Sequence, residues 1–101
     1  MDQDEVRVRL GSYLRRLLTP EDTDADGELR LPGFRGSVRS LLAELGGRYP
    51  RLGEELLDGA GEPESHLLVV VNKHLLVSEA GLGTELRPGD LVEVHLVIAG
   101  G

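Results

Sequence analysis

Hydrophobic and polar residues alternate in three stretches of the chain, and each alternation predicts a half-buried strand. The stretches are 5–10, 28–31 and 91–98, and their inward residues are Val6, Val8, Leu10, Leu29, Leu31, Val92, Val94, Leu96 and Ile98. A fourth strand is predicted at 66–71, where the apolar run does not alternate but is rich in β-branched residues. Asn72-Lys73 then reads as a two-residue turn that leads into a returning strand at 74–77.

A different spacing marks the main helix. Apolar residues recur at i, i+3, i+4 and i+7 after the capping residue Ser37, at Val38, Leu41, Leu42 and Leu45. Gly46-Gly47 is expected to end this helix as a C-cap pair. A short helix with Ser12 as its cap is predicted before Pro20, and another helical turn is predicted around Leu52, Leu56 and Leu57.

This order of elements predicts an α+β fold. A mixed sheet of four or five strands is packed on one face by the main helix. If the first and last strands are parallel neighbours, that helix forms the crossover between them. We expect one domain, 1–101, with a flexible C-terminal Gly-Gly tail.

Composition and charge exclude several classes of function. The net charge of −7 argues against nucleic acid as a partner, because phosphate binding needs clustered Lys and Arg. No cysteine is present, so disulfides and thiolate chemistry are excluded, and no signal peptide or membrane span is visible. A cytoplasmic location is expected. The arginines 7, 9, 15 and 16 are expected to form a solvated face.

An acidic segment offers the one candidate metal site. Asp22, Asp24, Asp26 and Gly27 match the opening of a calcium loop. The twelfth position, which needs a bidentate Glu, is Gly33, so a solvated acidic turn is the preferred interpretation. The three histidines, at 66, 74 and 95, fit no standard metal motif.

The last predicted strand runs directly into Ala99-Gly100-Gly101. These residues have little or no side chain, so the backbone can pass through a narrow channel. A frayed terminus is the alternative interpretation. We predict that the C-terminal carboxylate is the functional group and that the rest of the chain presents it.

The sequence resembles the MoaD/ThiS family of ubiquitin-like sulfur carriers over nearly its whole length. The segments that carry the resemblance are Val-Arg-Leu-Gly-Ser-Tyr-Leu-Arg (8–15), Leu-Pro-Gly-Phe-Arg-Gly-Ser-Val (31–38), Leu-Leu-Ala-Glu-Leu…Tyr-Pro-Arg-Leu (41–52), Val-Val-Val-Asn (69–72), Gly-Leu-Gly-Thr-Glu-Leu-Arg-Pro-Gly-Asp-Leu-Val (81–92) and the closing Ile-Ala-Gly-Gly. A short helix after the first strand is similar to MoaD, the molybdopterin synthase small subunit, and to CysO-type carriers. The resemblance implies a β-grasp fold.

The resemblance also implies a function. Gly101 would be adenylated by a ubiquitin-activating-enzyme-like adenylyltransferase of the MoeB/ThiF type, which uses ATP, and then converted to a thiocarboxylate. Gly100 and Ala99 would thread into the partner, and Leu96, Val97 and Ile98 would dock. The sulfur would pass to an acceptor such as the molybdopterin synthase large subunit. No cofactor is bound and no side chain catalyses, so the chain would be a carrier and not an enzyme.

Three alternatives stay open. The sulfur could serve cysteine or thiamine biosynthesis. The chain could be a ubiquitin-like modifier that forms isopeptide bonds to lysines, or an interaction module whose tail is inert.

Overall fold

The computed structural model describes residues 5–23, 27–64, 66–76 and 79–97. In chain order the elements are β1 (Glu5–Leu10), α1 (Ser12–Arg15), β2 (Glu28–Pro32), β3 (Gly36–Ser37), α2 (Val38–Arg48), α3 (Pro50–Leu56), β4 (Leu67–Val71), β5 (His74–Leu76), β6 (Glu85–Leu86) and β7 (Leu91–Leu96). Short 3₁₀ turns cover Pro20–Asp22 and Glu79–Gly83. In the described part of the chain, no helix combines the length and apolar character needed to cross a lipid bilayer.

The main sheet has five strands in the order β2-β1-β7-β4-β5. β7 lies at its centre, parallel to β1 on one side and antiparallel to β4 on the other. The predicted α+β class is therefore confirmed, and the first and last strands are parallel neighbours, which was the condition for a crossover by the main helix. β1 and β7 lie in the main sheet. The chain that connects them includes α2, which packs on one face of that sheet.

The core follows the predicted pattern of inward residues. The buried apolar residues are Val6, Val8, Leu10, Leu14, Leu29, Leu31, Val38, Leu41, Leu42, Leu45, Leu52, Leu56, Val69, Val71, Leu86, Val92 and Val94. Full burial of one such side chain stabilises the fold by about 1.5–3 kcal/mol. At the start of α2 the Ser37 hydroxyl accepts a hydrogen bond from the Ser40 N–H at 3.2 Å, which confirms the predicted cap.

The predicted end of the main helix was wrong. α2 continues through Gly46 and Gly47 to Arg48, and the Tyr49 N–H donates to the Leu45 carbonyl at 2.9 Å. Gly46 instead lies where α2 meets α3. A Cβ on Gly53 would come within 2.9 Å of the Gly46 Cα and of its carbonyl oxygen. The absence of both side chains lets the two helix backbones touch.

A second, two-stranded sheet joins β3 to β6 and was not predicted. Each of its strands has two residues, too short for a hydrophobic period to be visible. The Val38 N–H donates to the Thr84 carbonyl at 3.0 Å beside this sheet. The pairing thus attaches the segment before β7 to the first turn of α2.

The β4–β5 hairpin has the two-residue turn that was predicted. Asn72 and Lys73 both have positive φ, at 49° and 72°, as the twist of a tight hairpin requires. The Asn72 side chain donates to Asp90 Oδ1 and accepts from the Leu91 N–H, both at 2.9 Å. Lys73 has no comparable support, and its side chain is exposed.

We expect Lys73→Gly to raise the free energy of unfolding by about 0.5–1 kcal/mol, because glycine adopts positive φ without a steric penalty. Urea denaturation measures the change. Lys73→Ala, which keeps the Cβ, is the matched control and should stay near wild type. Equal values for the two variants would show that the backbone of Lys73 is not strained.

Candidate functional site

The site is organised around β7, which carries the end of the described chain. Val92 and Val94 are fully buried in the core, and strands flank β7 on both sides. Backbone hydrogen bonds continue to the last described residue. The Gly11 N–H donates to the Val94 carbonyl and the Val97 N–H donates to the His66 carbonyl, both at 2.8 Å. The chain is therefore fixed in position up to Val97.

The predicted site residues fall into two groups. Ile98, Ala99, Gly100 and Gly101 lie outside the described residues. Of the predicted docking residues, Val97 is 51 % exposed and Leu96 is partly buried against the core. Val97 thus offers an apolar contact immediately before the tail.

A cavity of about 200 Å³ opens next to this strand end. Its lining residues are Gly11, Ser12, Tyr13, Leu14, His95 and Leu96. A Cβ at Gly11 would lie 2.7 Å from His95 Nδ1, so a larger residue there would force the His95 ring to move. Tyr13 is 45 % exposed at the cavity, so an aromatic ring is available to a partner.

The short helix α1 forms one wall of this cavity and differs from its prediction in one detail. Its N-cap is Gly11 and not Ser12, and no side chain caps it. Ser12 is the first helical residue. Leu14 is fully buried, and this anchors the helix to the core beside β7.

One half of the sheet face opposite α2 is charged. Glu28 is only 2 % exposed and accepts hydrogen bonds from Arg9 Nη2 at 2.6 Å and Arg9 Nε at 3.2 Å. Arg7 Nη1 lies 3.5 Å from its other oxygen. The side chains of Arg7 and Arg9 stay 37% and 48% exposed, as expected of a solvated face, and they also form ion pairs with Glu28. The alternation of polar and apolar residues in β2 did not predict that Glu28 is buried. Glu28 occupies an outward position, and Arg7 and Arg9 on the neighbouring strand cover it.

We expect Glu28→Gln to lower the free energy of unfolding by about 1–2 kcal/mol, since charged hydrogen bonds are lost from a buried carboxylate whose arginine partners remain partly hydrated. The matched control is Glu44→Gln, which removes the exposed Glu44–Arg48 pair and should change stability by less than about 0.5 kcal/mol. Chemical denaturation compares the two. Equal losses would contradict a structural role for Glu28.

The other half of the same face is apolar. Leu68 and Val70 alternate with the buried Val69 and Val71, so they point away from α2. Val70 lies opposite Leu75 on β5, which is 50 % exposed, and opposite Glu93 on β7. The open face therefore changes from charged to apolar across the central strand, and sequence periodicity could not detect this because the run 67–71 does not alternate.

Of the three carboxylates in the candidate calcium loop, Asp22 alone lies within the described residues. Asp22 accepts hydrogen bonds from the Thr19 N–H at 2.9 Å and from its hydroxyl at 3.1 Å, as part of a capping box. Asp24 and Asp26 lie outside the described residues. Within the described ranges, no three His, Asp or Glu side chains come together as they would around a metal ion.

Comparison with known proteins identifies the class. The model of the ThiS family matches residues 20–101, which is most of the chain. The chain therefore belongs to the ThiS family of ubiquitin-like sulfur carriers and modifiers. No protein with a curated description matches the sequence significantly.

Solved structures show the same fold. The small archaeal modifier protein 1 (SAMP1) from Methanosarcina acetivorans is 25% identical, with a TM-score of 0.74 and 96% of each chain covered. Urm1 from Trypanosoma brucei is 25% identical, with a TM-score of 0.68, covering 97% of this chain and 96% of its own. A putative molybdopterin converting factor subunit 1 from Pyrococcus furiosus is 22% identical, with a TM-score of 0.63, covering 93% of this chain and 98% of its own. The ubiquitin-like β-grasp fold is thereby confirmed.

Proposed function

We propose that this protein is a sulfur carrier whose reactive group is the main-chain carboxylate of Gly101. The observation that carries the proposal is the position of β7. β7 is paired with a strand on each side, and its buried residues extend to Val94. Val97 is exposed, and Ala99-Gly100-Gly101 follow it within four residues. Such an arrangement suits delivery of a chain end into another protein.

The chemistry needs no side chain of this protein. A Gly101 carboxylate oxygen attacks the α-phosphorus of ATP on a MoeB/ThiF-type adenylyltransferase, and pyrophosphate leaves. Hydrosulfide from the sulfur donor then attacks the carbonyl carbon, the bond from that carbon to the AMP oxygen breaks, and AMP leaves. The sulfur loses its proton to water, so a thiocarboxylate replaces the carboxylate. Glycines at 100 and 101 let the carbonyl approach both reaction centres closely.

Docking has to offset the ordering of the tail, which costs about 1–2 kcal/mol per residue. Val97 and the neighbouring cavity with Tyr13 supply apolar area next to the tail. Leu96 and Ile98 are the other proposed docking residues. The apolar half of the open face, with Leu75, could extend the contact across β4.

The test is the intact mass of the protein after incubation with the adenylating enzyme of the same cell, ATP and a sulfur donor. Exchange of oxygen for sulfur raises the mass by about 16 Da. The same incubation without ATP is the control and should give no change. An unchanged mass in the complete reaction would refute the sulfur-carrier function.

Within this function we propose molybdenum cofactor biosynthesis as the destination of the sulfur. The short helix α1 between the first two strands supports this choice over thiamine synthesis, where the resemblance implies a direct passage into the second strand. Thiocarboxylated protein should form molybdopterin with the synthase large subunit and its precursor. Product formation only with a cysteine synthase or a thiazole synthase would assign the sulfur to the alternative pathway.

Modification of other proteins is the second candidate. It is favoured by the likeness to a protein named as a modifier, SAMP1, at 25% identity over 96% of the chain. The same adenylated Gly101 would then react with lysine amines. Tagged protein should appear in cell extracts as a series of larger conjugates that withstand denaturation and reduction. A monomer alone would argue against this candidate.

A further inference from the structure

We infer that the cavity beside α1 binds an acidic segment of a partner protein, in which an apolar side chain fills the cavity and a neighbouring carboxylate pairs with Arg16. The inference rests on the proposed function for the identity of that partner, which is the adenylating enzyme. The cavity lies between α1 and the end of β7, where Val97 leads into the tail. An enzyme that receives the tail therefore comes next to this cavity.

The size and walls of the cavity fit one apolar side chain. Its volume of about 200 Å³ lies below the range of about 300–1,000 Å³ that is typical of small-molecule sites. Leu14 and Leu96 supply apolar walls, and the half-exposed ring of Tyr13 lines the cavity as well. Leu14 is fully buried in the core, so the wall that it forms is fixed in position.

The chain around the cavity is basic, although the whole chain carries a net charge of −7. Residues 6–20 contain four arginines and no Asp or Glu. Arg7 and Arg9 pair with a buried glutamate on the open face of the sheet, so their charges are partly compensated. The other two, Arg15 and Arg16, lie at the end of α1. A basic patch of this kind is complementary to an acidic partner segment.

Arg16 is the cation that is available to a partner. Arg15 is directed toward the acidic segment, because a Cβ at Gly27 would lie 2.6 Å from Arg15 Nη1. Arg16 is exposed, and it forms no ion pair within the described ranges. It follows Tyr13 by three positions in a helical turn, so the two side chains lie on the same side. Tyrosine and arginine are among the residue types that most often dominate binding at protein interfaces.

His95 does not replace Arg16 as the positive charge. Its Nε2 lies 3.8 Å from Glu93 Oε1, so a protonated ring would be compensated by that carboxylate. The Glu93 carboxylate also disfavours a second carboxylate beside His95, because like charges repel. The acidic group of the partner is therefore expected at Arg16, with the apolar side chain in the cavity.

The first test observes the isotope-labelled full-length chain by NMR while the peptide acetyl-Glu-Phe-Glu-amide is added. We expect saturable shifts of the Tyr13, His95 and Leu96 amides, with a dissociation constant of about 1 mM. Replacement of both glutamates of the peptide by lysine, or of its phenylalanine by glycine, should abolish these shifts. Equal shifts with the lysine peptide, or none with the glutamate peptide at about 10 mM, would overturn the inference.

The second test reverses one charge. Arg16→Glu should weaken binding of the glutamate peptide about fivefold, because repulsion replaces an exposed ion pair. Arg51→Glu is the matched control, since Arg51 is exposed on α3 and also lacks an ion pair in the described part of the chain. It changes the net charge equally and should bind like wild type. Equal weakening in both variants would assign the effect to net charge and would contradict a site at Arg16.

The third test uses the adenylating enzyme and separates the inference from the function on which it rests. Arg16→Glu should raise the KM for this protein about fivefold and leave kcat unchanged, whereas Arg51→Glu should change neither. A wild-type KM for Arg16→Glu, or a thiocarboxylated protein that binds no peptide, would overturn the inference and leave the sulfur carrier intact. Specific peptide binding by a protein that is never adenylated would refute the proposed function and, with it, the adenylating enzyme as the partner.

Discussion

Gly53→Val should lower the free energy of unfolding by about 3 kcal/mol, because the new side chain has no space between α2 and α3. A Cβ alone would lie 2.9 Å from two backbone atoms of Gly46. Backbone cannot rotate away as a side-chain end can, so the helices must separate. Leu52 and Leu56 on α3 are fully buried, and such a movement would loosen their packing.

Gly47→Val is the matched control, since it makes the same change in α2, the other helix of this pair. Nothing lies within 4 Å of a Cβ at Gly47. Valine is a slightly better helix former than glycine, so stability should stay within about 0.5 kcal/mol of wild type. Urea titrations of the two variants measure the difference. A loss at Gly47 as large as that at Gly53 would contradict the close crossing of α2 and α3.

Removal of Gly100 and Gly101 should abolish formation of the thiocarboxylate and leave the fold intact. The reacting carbonyl is deleted, and Ala99 would place the new carboxylate two residues short of its reaction centre. The described core and sheet contacts involve residues up to Val97, so the free energy of unfolding should change by less than about 0.5 kcal/mol.

The measurements are intact mass after incubation with the adenylating enzyme, and chemical denaturation. Deletion of residues 1–4 is a control truncation at the other end, and this variant should still gain sulfur. Sulfur on the chain that lacks Gly100 and Gly101 would show that another group accepts it. A large loss of stability would mean that the tail contributes to the fold.

Much of this fold could be predicted because its strongest patterns are local. The stripe from Val38 to Leu45 and the alternation in β1, β2 and β7 each specify one buried face. The turn at Asn72 was visible because few residues tolerate positive φ. The parallel pairing of β1 with β7 was only a condition for the crossover role of the main helix, and the structure meets that condition.

Contacts between distant segments could not be predicted. Gly46 near a helix end reads as a cap, and only its approach to Gly53 in three dimensions shows that it serves helix packing. Glu28 reads as an exposed residue, whereas Arg7 and Arg9 from the neighbouring strand bury it. Both features depend on which elements become neighbours, and a period along one segment carries no such information.

The sequence likewise predicted one part of the candidate site and missed another. The exposed Val97 beside the strand end agrees with a docking role. The cavity at Gly11 and Tyr13 was missed, because its walls come from both ends of the chain. The role of Gly101, whose main-chain carboxylate would receive the sulfur, remains a prediction.

The most direct test of that claim is to locate the sulfur. Protein incubated with the adenylating enzyme, ATP and a sulfur donor is cleaved after Glu, which releases residues 94–101 as one peptide. We predict that this peptide gains about 16 Da and that fragmentation places the entire gain on Gly101. A gain on any other peptide, or an unchanged mass for 94–101, would contradict a thiocarboxylate at Gly101.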